Sequence, residues 1–485
     1  MNVGRLIRTI WHLKPRQVWF QVWRRVQRRF EPHPACAANP LPAFAFLNVT
    51  ASPKGWNDTS LELLWRYNLH YFDCLHSQSA DSSLVFRWIE ENPRGSFPGW
   101  EPYPTSLRIV NWVKHLERHR TQIPNRSLIE ASVREQLDWL ARHLEWHILA
   151  NHLLANLKAL VIGTKWLDGD AARWMPLYRR QIEEQILDDG SHSELSAMYH
   201  AIVFEDVIDV LHFCGEEAAW LRPTAGRMLT YLLKMTGPDG MIAKFNDAAE
   251  GIAKTPEQLI AAAASEGVMP ERPINGAVRS GERSSGYVRV SAGEWTLISK
   301  GVVIGLDYQP GHAHADSLSF ELWRGNVKVI GDTGCSTYVP GPIRSYERST
   351  AAHNTVVIDG RNSSEVWAAH RVGGRCRALR SNEPSGRAGV WAHDCNGMVI
   401  GRRLVLKETG LCGIDEIRGT GEHEIEERFH LPPGVSLEQV SIACSGERLV
   451  ERCDFAVGWN RREAGTCVVY RQRMKLPAKI EWSIA

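Results

Sequence analysis

The 485-residue sequence has no apolar run near the ~20 residues that a membrane-spanning helix needs, so no transmembrane segment is expected. Its ten cysteines form no C-x-x-C pair and share no repeated spacing, which argues against zinc ligation by cysteine or a disulfide framework and for mostly reduced, buried thiols. A large charge excess is also missing. The formal net charge of +2 removes any global case for nucleic-acid binding, although a near-neutral total can still hide a basic groove suited to an anionic substrate. The first thirty residues contain no acidic side chain and no uninterrupted apolar core of a signal peptide. No cleavable export signal is therefore expected, and a cytoplasmic or peripherally membrane-associated location is favoured over secretion.

That N-terminal stretch carries eight Lys or Arg with apolar residues spread between them, the pattern of a basic amphipathic helix. Two readings stand: it rests on an anionic membrane surface or a partner, or it docks its Trp19, Val22, Trp23 and Val26 face onto the body, and the second is the expectation. Nineteen tryptophans and eleven tyrosines either line a carbohydrate cleft or serve as ordinary core.

From Leu61 to Ala264 apolar residues recur every three or four positions between Pro, Gly, Asn and Asp breaks, which predicts helix after helix, packed as antiparallel pairs into a solenoid or toroid. After Pro270 the pattern shortens to β-branched, period-two runs, with Arg324-Gly-Asn-Val327 as a hairpin turn. The predicted architecture is a multidomain α + β chain: a basic helical extension over 1–60, an α/α toroid over 61–275 and an antiparallel β-sandwich over 276–485, with Pro270–Gly286 as the junction.

The chemistry-bearing residues cluster in separate segments. His312 and His314, in GHAHADSLSF, would share one face of a strand. With Asp332 in VIGDTG and His353 in STAAHNTVVID they offer the nitrogen and oxygen ligands of a zinc site; non-haem iron also suits such a set, and a hydrogen-bonded polar cluster is the alternative. In HLEWHILANHLLAN, Glu145, Asn151, His152 and Asn156 are either interior hydrogen bonders or ligand contacts. Ser191-x-x-Glu194 reads as a capping box ahead of Tyr199 and His200, which lie near enough to a helix start to face a cleft.

Taken together, PTSLRIVNW, NHLLANLKAL, DGSHSELSAMYH, GHAHADSLSFELW, GDTGCSTY and RSTAAHNTVVIDG resemble, in order and spacing, the heparinase II/III-like polysaccharide lyases. The resemblance covers about residues 60 to 400. It implies an α/α toroid followed by a β-sandwich, and β-elimination on an acidic, uronic-acid-containing polysaccharide. That chemistry needs donors that offset the substrate carboxylate, a base for the C5 proton and an acid for the departing C4 oxygen. Asn151 and His152 match the carboxylate-contacting positions; Tyr199, His312 and Tyr338 match the acid/base positions, with Tyr199 favoured as principal. His314, Asp332 and His353 match the ligands of one divalent metal, usually zinc and structural, and Asp316 is expected to orient a histidine from behind. Arg108, His200, Arg344 and Arg348 are the expected substrate contacts. The basic N-terminal helix resembles that of relatives linked to bacterial exopolysaccharide production. A glycan-binding component without catalysis and a glycoside hydrolase on a similar toroid are the competing readings; the second needs two opposed carboxylates.

Overall fold

The computed structural model describes residues 3–31, 33–76, 81–271, 283–301, 304–379, 388–394 and 396–485. Most of the expected junction and Cys395 fall outside them. The chain forms two compact units, one of Lys14–Gln185 with Asp206–Arg222, the other of Met1–Leu13, Ile186–Glu205 and Pro223–Ala485. The helices of eight or more residues are α1 (Val3–Ile10), α2 (Pro15–Phe30), α3 (Leu63–Tyr71), α4 (Ser83–Glu91), α5 (Pro102–Arg118), α6 (Arg126–Arg142), α7 (Ala150–Asp168), α8 (Met175–Gln185), α9 (Ala197–Cys214), α10 (Arg222–Lys234) and α11 (Pro256–Ser265).

In the helical unit α7 is the centre, because a helix that is apolar on all sides must be buried on all sides. It is buried from Ala150 to Gly163 except at His152 and packs against α5, α6 and α8. Trp56, Trp88 and Trp112 are fully buried, and Trp88 and Trp112 meet edge to face at 5.4 Å. Here the tryptophan excess builds core.

The N-terminal helix reverses its expectation. Only Gln17 of α2 is buried, and Trp19, Val22, Trp23 and Val26 are exposed. The polar side is the anchored one: Arg24 and Arg28 pair with Glu101, Lys14 with Glu184 at 2.5 Å, and Gln17 donates to the Ile148 carbonyl at 3.2 Å. A cavity of about 640 Å³ runs along the helix, lined in part by Phe20, Trp23, Arg24, Trp100, Trp139 and His147, so Trp23 borders it while staying half exposed.

In the other unit β1 (Tyr287–Ala292), β2 (Trp295–Lys300), β3 (Phe320–Arg324) and β4 (Val327–Ile330) form an antiparallel meander. The predicted hairpin closes with Arg324 opposite Val327 and Gly325 at φ 55°, a left-handed value that a tight two-residue turn requires. β5 (Val356–Ile358) pairs with Glu422–Leu431, and a further antiparallel sheet includes Val399–Lys407, Gly410–Arg418 and Ala478–Ile484. Trp295, Phe320, Leu322, Leu411, Phe429 and Trp482 share one core between them. The nine described cysteines are all free. Among the described residues no helix is long and apolar enough to cross a membrane.

Candidate active site and cation cluster

α9 begins after Ser196, whose hydroxyl accepts from the Tyr199 backbone amide at 3.2 Å. This is the N-cap geometry, and it corrects the expected capping box: Ser191 instead donates to Asp189 at 2.6 Å. Leu195 just ahead sits at φ 58°, a strained value for leucine that turns the chain into the helix. Tyr199 is thereby placed in the first turn, its ring stacked on His312 at 3.8 Å and its hydroxyl 3.1 Å from that of Tyr338.

Behind His312 lies Asp247. Its Oδ2 is 2.9 Å from His312 Nδ1 and its Oδ1 is 2.8 Å from His314 Nε2, while Arg344 donates to both oxygens. A carboxylate only accepts, so Nδ1 of His312 and Nε2 of His314 carry the hydrogens. His312 is left with Nε2 for chemistry, 3.9 Å from Glu194. Burial alone would raise the Asp247 pKa, but Arg344 and the two histidines hold it well below the usual carboxylate range. Tyr338 is driven the other way: burial first, then the Asp247 charge, keep its phenol protonated. Asn246, at φ 59°, fixes the loop by donating to Leu195 O and accepting from Lys300 and the His314 amide.

His314, two residues on, also lies beside a second cluster. Asp316, Asp332 and His353 bring ligand-type atoms within 4.8 Å of one another, and the His314 ring lies 5.4 Å from that of His353. His314 Nδ1, Asp316 Oδ2 and His353 Nε2 are buried without a hydrogen-bond partner. Leaving such atoms unsatisfied costs about 1–3 kcal/mol each, and a divalent cation would satisfy all three types. Burial holds His314 down to about 4, so its Nδ1 lone pair is available at neutral pH. The expectation that Asp316 orients a histidine is corrected: it accepts from Lys300 at 2.5 Å and joins the candidate ligands.

In the helical unit Asn151 is buried and His152 half-buried at the start of α7, entered through Leu149 at φ 69° and Ala150 at φ 49°. His152 Nδ1 lies 3.1 Å from Glu145, which also accepts from Asn156 at 3.1 Å. Burial opposes the charge on Glu145, but His152 and Arg24 outweigh it and keep the carboxylate ionised.

With this geometry in view, residues 87–265 match the family model described as Heparinase II/III N-terminus, and residues 279–473 match Heparinase II/III-like, C-terminal. The chain belongs to the heparinase II/III-like family. A heparin-sulfate lyase of Bacteroides thetaiotaomicron is 22% identical over 416 residues, covering 73% of this chain and 57% of the relative, so the chain spans little more than half of that protein. Among solved structures, Heparinase III superposes with a TM-score of 0.69 at 17% identity, over 88% of this chain and 78% of that one. Heparan sulfate lyase HepC from Pedobacter heparinus gives 0.58 at 16% identity, over 88% and 77%. These likenesses show the fold, an α/α toroid followed by an antiparallel β-sandwich.

Within this heparinase II/III-like chain the expected substrate contacts are corrected. Arg108 is wholly buried, stacked on Trp88 at 3.8 Å and donating to Gln136 and Gly99 O. His200 bonds the Met228 carbonyl at 2.9 Å inside the unit. Arg344 is committed to Asp247 and Ala369 O, and Arg348 to the carbonyls of Ala313 and Ala368. All four have their polar atoms committed to internal partners, and none has an exposed head to offer a sugar. Asp247 was missed. Its only sequence signal is an Asn-Asp pair, residue types that tolerate a left-handed backbone, in the small-residue loop FNDAAEG.

Proposed function

We propose that the protein is a polysaccharide lyase that cleaves an acidic, uronate-containing polysaccharide by β-elimination. The observation that carries this reading is the Tyr199–Tyr338 hydroxyl pair set against His312, whose second nitrogen is fixed by Asp247. The C5 proton passes to a basic atom, the C5 electron pair forms the C4=C5 double bond, and the C4–O bond breaks as its oxygen takes up a proton. Tyr199 is the principal acid/base residue; His312 Nε2 serves as the base when the C5 proton leaves from its side of the ring. Tyr338, held protonated, keeps a hydrogen bond on the Tyr199 oxygen and so stabilises it in either protonation state. Asn151 and His152 are assigned the substrate carboxylate on their match to NHLLANLKAL alone.

Asp316, Asp332 and His353, with His314 beside them, would hold a divalent cation, and zinc suits their nitrogen and oxygen donors. When bound it would tether separate β segments, a structural service. The substrate is proposed to be an exopolysaccharide or glycosaminoglycan. The test is ultraviolet absorbance of 4,5-unsaturated uronate products across heparan sulfate, alginate and bacterial exopolysaccharides. Products with only saturated ends would overturn the lyase reading.

A further inference from the structure

A soluble helix normally turns its apolar stripe inward, yet α2 does the opposite. Val18, Trp19, Val22, Trp23, Val26 and Phe30 are exposed by 41 to 84%. At ~100° per residue these six side chains fall within about 140° of arc, so they form one continuous face. Arg16 borders it on one side, its guanidinium 5.1 Å over the Trp146 ring, Arg25 borders it on the other, and Arg29 falls between Val18 and Val22 within the arc; all three are exposed. Arg25 and Arg29 pair with no acidic side chain of the described residues, and α2 itself contains no carboxylate. The opposite side is tied to its own unit through Glu101, Glu184 and Ile148, so the outward display is built in and is not a consequence of a loose helix.

From this arrangement we infer that the outward face of α2 is a docking surface for an anionic lipid bilayer, lying flat in the interface. Tryptophan and phenylalanine suit the boundary between headgroups and acyl chains, and flanking arginines suit anionic headgroups. A second copy of this chain fits poorly, because pairing two such faces would bring guanidinium groups together with no carboxylate on either helix to match them. Among the described residues no helix is long and apolar enough to span the bilayer, and the proposed contact is a peripheral one. The inference is independent of the lyase reading.

The experiment is co-sedimentation of the full chain with phosphatidylcholine vesicles, with and without about 30% phosphatidylglycerol, alongside tryptophan quenching by brominated lipids. Binding only to the anionic vesicles, weakened by salt, is expected. The double variant Trp19→Glu/Trp23→Glu should lose on the order of tenfold or more in partitioning while keeping its circular dichroism and melting profile. Arg25→Gln and Arg29→Gln should each lower binding about fivefold at low salt. Absence of binding to anionic vesicles, or binding that survives the tryptophan substitutions, would overturn the inference. So would sedimentation showing a dimer that those substitutions dissolve, without lipid association.

Discussion

His312 and His314 stand two residues apart and hydrogen-bond the same carboxylate, yet they serve unlike surroundings. Around His312 are two half-buried tyrosines, and the imidazole itself is 9% exposed. Around His314 are Asp316, Asp332 and His353, and none of the four exceeds 1%. A polymer must reach the atoms it reacts with, whereas a cation that only tethers strands is best sealed from water. The difference in burial fits the proposed division, a chemical role at His312 and a structural one at the cluster beside His314, even where one loop serves both.

The largest effect expected is on the exposed side. Tyr199→Phe should fold normally and lower turnover at least about a hundredfold, read by product absorbance. A fully active variant would erase the distinction between the clusters. Asp247→Asn should damage both at once. It leaves Arg344 buried without its anionic partner, a loss of about 3–5 kcal/mol in denaturant unfolding, together with reduced activity. On the sealed side, His353→Ala should abolish stoichiometric metal in elemental analysis and lower the melting temperature by roughly 5 °C, with chelation of the wild type matching it. If chelation instead stopped turnover without changing Tm, the cation would belong with the chemistry.

The smallest effect separates buried histidines from these clusters altogether. His70 is held down to about 3 by burial and by Arg108, below its unfolded value of about 6.5. The unfolded chain therefore binds the extra proton first, so stability present above pH ~6.5 is lost as pH falls toward 3. Thermal melts of His70→Asn should show a shallower slope in that window, with stability at neutral pH also reduced.

The sequence made Tyr199, His312 and Tyr338 legible because each sits in a compact motif, and the structure brings these three side chains together. The two architectures were legible from period alone, since a 3.6-residue repeat and a two-residue repeat bury different faces. Arg344 and Arg348 were misread for a physical reason. A buried guanidinium that satisfies carbonyls and a surface one that meets a ligand have the same sequence signature, and only burial tells them apart. α2 was misread because amphipathicity fixes which side chains share a face without fixing which way that face turns. Asp247 left almost no trace, being one acid in a loop whose importance lies in what converges on it.

That convergence makes Asp247 a shared point of failure. Both of its oxygens are committed, one to each histidine and both to Arg344. The residue has no spare capacity with which to compensate a shifted neighbour, so a change on the sealed side is transmitted to the reactive side through an atom pair that cannot yield. In sequence drift, substitutions at His312, His314 and Arg344 should accordingly be tolerated jointly or not at all.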